Sequence, residues 1–571
     1  MENNTNIVVL KFGSSVLRSE KDLPSAVHEI YRWFRQGHQV VAVVSAFGDT
    51  TDELNRRAQE VCEQPDDALV AALLATGETA SSALLGLSLN RAGIAATVLD
   101  AQRAGLRTEG ATLDANLVSV DAENVIAALR SHVVVLPGFV GQAQTGQTTL
   151  LGRGGSDLTA LFLAKSLGGY CRLIKDVDGL YTSDPNSKTG QPACRFSQIS
   201  YETAERVGGA VVQLKAIKFA KEHGVSFGVS SVGSNRSTEV GALVDRIDAE
   251  VQGDRRLRVA LLGCGTVGGG VFKRLAALPH LFEVVGVGVR NVDRAIELDV
   301  PVRLITTKLD KLIERPCDVV IELLGGLEPA SALVTRALQL GRDVVTANKS
   351  LLATELTRLE RLAAVNAGRI RYSAAVGGVA PALETVRRVR SFGELKSITG
   401  ILNGTTNFIL NEHGKGRTFE EAVQLAQQLG YAESDPTVDL DGTDAAQKLI
   451  LLAREAFGIE LPFGSIKRKG IDETTVSHSA RHIKFIAHCK KSNGRVEASV
   501  APVEIEPTDL LASVNGVSNC LVIEDAEGKT WTASGQGAGR WPTTEAVIAD
   551  LLDLRCETIA EELQLKEECV A

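Results

Sequence analysis

Aromatic side chains make up only 4% of this 571-residue chain. No run of about 18 apolar residues occurs, so no membrane span is expected. Positive charge is also in deficit: 61 Lys and Arg stand against 70 Asp and Glu, a formal net charge of −9. That balance argues against nucleic acid as the main partner. The nine cysteines are odd in number and form no CxxC pair. Reduced thiols in a cytoplasmic protein therefore fit better than a disulfide framework or a zinc site. The opening MENNTNIVVLKF lacks the charged-then-apolar order of a signal peptide and enters a strand almost at once. What is plentiful is glycine, at 54, which suits an α/β chain with many tight strand–helix turns. The length predicts two or more domains.

One stretch near the middle organises the rest. In Arg258–Val271, RVALLGCGTVGGGV, the apolar run Val259–Leu262 feeds into Gly263, Gly265 and Gly268, and a helical pattern follows through Phe272–Leu278. Glycines let backbone approach a phosphate and a helix amino terminus presents free N–H groups, so this turn suits a dinucleotide. A second strand, Phe282–Val289, follows at the spacing of a βαβ unit and ends in Arg290. An acidic residue there would take the ribose 2′-OH of NAD, whereas an arginine accommodates the 2′-phosphate of NADP.

Ahead of that turn, strands Asn6–Leu10 and Gln39–Val44 each end in small and hydroxyl residues, Lys11–Ser15 and Ser45–Thr51. Such chemistry belongs at the ligand-binding edge of a sheet. Leu23–Gln36 between them reads as an amphipathic helix. Thr148–Asp157, TTLLGRGGSD, places Arg153 among glycines and Asp157 where the helix Leu158–Leu167 begins. An arginine there offers a bidentate fork to a carboxylate, and an aspartate there would ordinarily be an N-cap. The strand Arg172–Ile174 then runs into Lys175–Tyr181, whose DVDG is either a β-turn or a holder of ribose and base.

Taken in order, KFG, VVSAFGDTTD, LLATGE, PGFVG, LGRGGSD and KDVDGLYTSDP resemble the aspartate kinase branch of the amino acid kinase family over roughly Ile7–Ser231. The resemblance implies that Lys11 stabilises the transferring phosphoryl group and that Asp157 assists catalysis. Arg153 would clamp the aspartate α-carboxylate, with Ser45 and Glu78 lining the substrate pocket. ATP, with Mg²⁺, would lie against Lys11, Gly13, Asp176, Asp178 and Tyr181. Three features depart from the family: KFGSSV is shorter by a glycine and also resembles glutamate 5-kinase, Asn186 replaces an arginine, and Ala210 replaces a lysine.

Beyond the glycine turn, Asp318–Gly326 and Asp343–Thr346 read as buried strands, the latter ending in Asn348 and Lys349. Tyr372–Pro381 and Gly400–Leu410 look strand-like, and Phe419–Leu429 looks helical. Asp444 and Lys448 stand four apart at a helix start, hence on one face; they form either a surface ion pair or, with Asp439 and Asp441 just before, a polar site. GCGTVG, ELLGG, VVTANKSLLA, AAVGGVAP, GILNGTTNFIL, LGYAESDPTVDLDGTDAAQKL and GQGAGRWPT together resemble homoserine dehydrogenase across Arg258–Leu554. By that resemblance Lys448 and Lys349 are the catalytic lysines and Asp444 orients substrate. Glu433 would bind the homoserine amino group, with Asp439 and Thr405 beside it. Gly263, Gly265, Thr266, Val267, Gly268, Arg290, Asn348, Gly377 and Gly537 would hold NADP or NAD. Ser373 replaces the family's cation-binding glutamate, leaving Val376 and Gly378 for a Na⁺ or K⁺ ion.

The expected fold is α/β: an amino acid kinase αβα sandwich over 1–245, a linker at 246–256, and a Rossmann part over 257–375 and 535–571. An α+β catalytic and dimerisation domain fills 376–534. The small regulatory domains that usually follow such a kinase have no room between Thr238 and Arg258, so end-product feedback is not expected. The expected substrates are aspartate, aspartate semialdehyde and homoserine, acted on by a homodimer or homotetramer away from membranes. The alternative is a homoserine dehydrogenase joined to a kinase domain that is impaired, glutamate-specific or non-catalytic.

Overall fold

The computed structural model describes residues 6–184, 193–209, 211–248, 256–473, 482–492 and 494–570, with side chains described up to 562. Asn186, Ala210 and most of the expected linker lie outside the described residues. The chain divides into two compact units, Met1–Asp254 with Cys556–Ala571, and Arg255–Arg555. The sequence-based boundaries instead grouped all of 535–571 with the nucleotide-binding part.

In the first unit a nine-stranded sheet runs in the order Arg246–Ile247, Phe196–Ser200, Thr238–Gly241, Phe227–Ser231, Tyr170–Lys175, Ile7–Phe12, Gln39–Val44, Val133–Pro137, Ala96–Val98. Ile7–Phe12 is buried at every position and lies parallel to both neighbours, the pattern of a strand covered on both faces. Helices Leu23–Arg35, Asp67–Arg91 and Gly155–Leu167 pack against these strands. Asp67–Arg91 is long and apolar enough to cross a membrane by length and composition alone, although here it contributes Val70, Ala71 and Leu74 to the core of the sandwich. A second sheet of four strands spans 107–150.

The second unit opens with a parallel six-stranded sheet ordered Ile305–Thr306, Phe282–Gly288, Leu257–Leu262, Val319–Glu322, Asp343–Thr346, Ile370–Arg371. Counted along this unit the order is 3-2-1-4-5-6, that of a dinucleotide-binding fold, with the switch point beside Leu257–Leu262. The other layer is a six-stranded sheet, largely antiparallel, in which Leu395–Ile401 lies between Ile483–Ser492 and Ser518–Asp525.

Two strand-like readings are overturned. In Tyr372–Pro381, Ser373–Val376 is a helical turn, and Gly377 and Gly378 follow in a tight bend where a methyl on Gly378 would sit 2.6 Å from the Gln536 carbonyl oxygen. In Gly400–Leu410 the strand ends at Ile401 and a helix occupies Gly404–Gly414, because the Asn403 side chain accepts the Thr406 N–H at 2.8 Å and caps it. Small and β-branched composition suggested strands; a single N-cap and a close backbone approach decided otherwise.

The glycine turn is equally constrained. Gly263 takes φ 97°, and a methyl on Gly268 would collide with the Gly263 carbonyl oxygen. Gly268→Ala is therefore expected to destabilise the second unit by about 1–3 kcal/mol, measured as a lower midpoint of that unit's transition in chemical denaturation. An unchanged midpoint would show that the turn relaxes.

Candidate active sites

The first site forms where parallel strands end. Lys11 stands opposite Leu173 in register, so Lys175, two residues further along, projects from the same face of the sheet. Gly154, in the left-handed conformation, is the N-cap of helix Gly155–Leu167. Asp157 is thereby released from the capping role the sequence suggested. Its carboxylate instead receives Lys11 Nζ at 2.7 Å and Lys175 Nζ at 2.9 Å. The three residues are 6%, 2% and 8% exposed in the order Lys11, Asp157, Lys175. Burial lowers the Lys11 ammonium to about 8 against the pull of Asp157. Burial works to raise Asp157, but the two lysines outweigh it and hold the carboxyl at about 2. One carboxylate between two ammonium groups leaves a surplus positive charge at the sheet edge. Such a surplus suits an anion.

Gly13 leaves space for the Lys11 ammonium, since a Cβ would lie 2.8 Å from its Nζ, and Gly138 makes room for Ser156. Ser45 donates its backbone N–H to the Phe12 carbonyl at 3.1 Å. Glu78, from the long helix, accepts the Ala46 N–H at 3.3 Å, while its Oε2 is buried without a hydrogen-bond partner among the described residues. Burial pushes the Glu78 carboxyl up to about 7. Tyr181 donates to Asp178 at 2.6 Å, so these two candidates meet. Asp176 and Arg153 are exposed. Lys175 was legible only as part of the KDVDG stretch; strand register, absent from sequence, reveals its partner.

The second site is built on helix Thr443–Phe457. Asp444 receives Lys448 Nζ at 2.9 Å and also pairs with Lys349 Nζ. Asn403 Nδ2 donates to Asp444 at 2.8 Å and to Asp439 at 2.7 Å. Lys448 Nζ donates to the Leu402 carbonyl at 2.9 Å, which Asn519 Nδ2 also reaches at 3.0 Å. Burial lowers the Lys448 ammonium despite Asp444. At Lys349 burial works in the same direction, and Asp444, with Asp439 and Glu433 behind it, more than reverses it. Asp439 is raised by burial and then by Asp444. The Lys349 side chain is 37% exposed and that of Lys448 5%, so Lys349 faces the open side. Glu433 is exposed, on a segment where the Thr405 hydroxyl donates to the Tyr431 carbonyl at 2.7 Å. Asn403 and Asn519 were not singled out from sequence. Asn403 could be read as an N-cap, but its reach to two carboxylates could not.

Around the glycine turn, a Cβ on Gly265 would meet nothing within 4 Å, and helix Thr266–Ala277 starts there. The amino-terminal N–H groups and open space fit a diphosphate, so Gly263–Gly268 are suited to hold a dinucleotide. Asn348 caps helix Lys349–Val365 through Leu351 N–H at 3.1 Å and donates to the Gly326 carbonyl at 2.6 Å, joining two strand ends. Arg290 is exposed at the end of the second strand. Gly377 and Gly537 are buried where Val379 N–H reaches the Gln536 carbonyl at 3.2 Å. Val376 and Gly378 share that bend, and the Ser373 hydroxyl donates to Glu384 at 2.6 Å. Among the described residues no group of three His, Cys, Asp or Glu gathers to hold a metal.

Three family models match: the amino acid kinase family over residues 6–229, the homoserine dehydrogenase NAD-binding domain over 263–373, and homoserine dehydrogenase over 381–552. A Synechocystis protein named homoserine dehydrogenase is 36% identical over 317 residues, 52% of this chain and 73% of that protein. One from Pseudomonas aeruginosa is 37% identical over 313 residues, 52% of this chain and 72% of its own length. Among solved structures, a homoserine dehydrogenase from Thiobacillus denitrificans is 35% identical with a TM-score of 0.50, covering 54% of this chain and 75% of its own.

Asp157→Asn would leave Lys11 and Lys175 buried side by side without a counter-charge, and is expected to destabilise the first unit by about 3–5 kcal/mol at neutral pH. Chemical denaturation at several pH values checks this. The wild-type contribution of Asp157 is present above about 3.8 and fades as pH falls towards about 2. Glu78 acts in the opposite sense: its raised carboxyl makes stability fall as pH rises from about 4.5 to about 7. Glu78→Gln should flatten that fall, and an unchanged pH profile would refute the assignment.

Proposed function

Because the chain belongs to the homoserine dehydrogenase family and carries an amino acid kinase domain ahead of it, we propose that it has two activities. The first is transfer of the ATP γ-phosphoryl to the side-chain carboxylate of L-aspartate, giving 4-phospho-L-aspartate and ADP. The second is reduction of L-aspartate 4-semialdehyde to L-homoserine. The observation that carries both is a buried aspartate held between two lysines, an arrangement present in each unit.

In the kinase site Lys11 and Lys175 neutralise charge on the transferring group, and Asp157 fixes the separation of the two ammonium groups. Phosphoryl transfer depends chiefly on such positioning and charge. Arg153, exposed on the glycine loop, clamps the aspartate α-carboxylate, with Ser45 and Glu78 along the pocket. Gly13, Asp176, Asp178 and Tyr181 take the nucleotide, which brings Mg²⁺ on its phosphates.

In the dehydrogenase site the nicotinamide, held on the glycine turn, supplies the hydride. The residues of this chain handle the rest. Lys448, lowered by burial, releases a proton from Nζ to the carbonyl oxygen, and Lys349 stays charged and polarises it. Asp444 holds both lysines, Glu433 takes the substrate amino group, and Asp439 and Thr405 line the same side. Arg290 in place of an acid favours NADP over NAD. Self-association as a homodimer or homotetramer belongs to the same reading, on the family likeness alone.

A second reading rests on KFGSSV: a kinase domain acting on glutamate, or one that binds without turnover. A coupled ADP-release assay with aspartate and with glutamate separates these, and absence of turnover with aspartate beside intact homoserine oxidation would sink the two-activity proposal. Lys448→Ala is expected to lower homoserine oxidation by about a hundredfold or more while ADP release is unaffected. Arg153→Ala is expected to do the reverse.

A further inference from the structure

Arg540 opens helix Arg540–Val570 directly after the glycine-rich segment Gly535–Gly539. Its stem lies along the helix that follows the glycine turn: a methyl on Gly270 would be 3.4 Å from Arg540 Cγ and 3.5 Å from Nε. One turn on, the Thr544 hydroxyl is 3.5 Å from the Val267 carbonyl oxygen. The starts of the two helices therefore run side by side. At Cys264, within the turn itself, burial raises the thiol and the positive charges of Arg294 and Arg540 oppose it.

Two guanidinium groups lie against the Trp541 ring, Arg274 at 4.7 Å and Arg540 at 4.8 Å from its centre. Arg274 has its counter-charge, Glu545 at 2.9 Å. Arg540 does not: its Nε and Nη2 are shielded from solvent and make no hydrogen bond among the described residues. Shielded donors without acceptors are costly, and a guanidinium cannot shed its charge. An anionic acceptor would satisfy these donors, and the neighbouring glycine turn, with its helix amino terminus, is suited to a diphosphate.

We propose that Arg540 is a further cofactor-binding residue, whose guanidinium donates to the diphosphate of the nicotinamide dinucleotide. The inference rests on the dinucleotide reading of the preceding section. Its position beside Gly270 separates it from exposed Arg290, whose place at the end of the second strand suits the ribose end.

Titration calorimetry of the full chain with NADPH and with NADH tests this on the wild type, Arg540→Ala and Arg540→Lys. Losing a charge-assisted contact to a group common to both dinucleotides should weaken both by about tenfold, and Arg540→Lys should recover part of the loss. Unchanged affinities would overturn the proposal. So would a loss confined to NADPH, which would assign Arg540 to the 2′-phosphate. Should Arg540→Ala fail to fold, Arg540→Gln keeps most of the stem against Gly270 and carries the same expectation. A wild-type chain that binds neither dinucleotide would remove the cofactor reading itself, and this inference with it.

Discussion

A carboxylate held between two ammonium groups is the interaction on which both halves of this chain depend. Burying a lone charge is prohibitive, and burying a pair is tolerated only with good geometry. Asp157 and Asp444, each 2% exposed, satisfy that condition by accepting two lysines apiece. The arrangement also leaves one positive charge over. In the first unit that surplus faces the edge where parallel strands end; in the second it opens through the half-exposed Lys349. The same electrostatic device thus suits a transferring phosphoryl group in one unit and a carbonyl oxygen in the other.

The surrounding structure supplies the constraint that keeps the charges together. Lys11 and Lys175 are brought side by side by strand register, while Asp157 is fixed by the first turn of a helix whose cap is a glycine. Asp444 and Lys448 share one helix, and Lys349 arrives on another that Asn348 caps. Asn403 links Asp444 to Asp439, tying the site to the strand that ends at Ile401. Each lysine is anchored on a regular element rather than a loop, which limits how far the charges can part.

Much of this was legible in the chain itself. The apolar runs and glycine turns announced the parallel strands, and Asp444 and Lys448 could be placed on one helix face from their spacing alone. The motifs around Lys11, Arg153 and Lys349 identified which ends of which strands matter. Other parts had no local signal. Tyr372–Pro381 and Gly400–Leu410 looked like strands because small and β-branched residues are enriched in both strands and close-packed turns. Lys175 stood out only as part of the KDVDG stretch, and Asn403 was hidden inside a segment that looked like a strand.

Local sequence determined what kind of element most segments form, Tyr372–Pro381 and Gly400–Leu410 excepted, because hydrophobic period, capping residues and glycine positions act over a few residues. It determined the kinds of chemistry present as well. Which lysine meets which aspartate was decided only by the tertiary structure. Lys11, Asp157 and Lys175 come from three separated elements, and so do Lys349, Asn403 and Asp444. Their meeting depends on sheet order and register, which are set by packing across the whole unit. The shielded face of Arg540 belongs to the same class: nothing in GQGAGRWPT says that its guanidinium lies against the helix of the glycine turn.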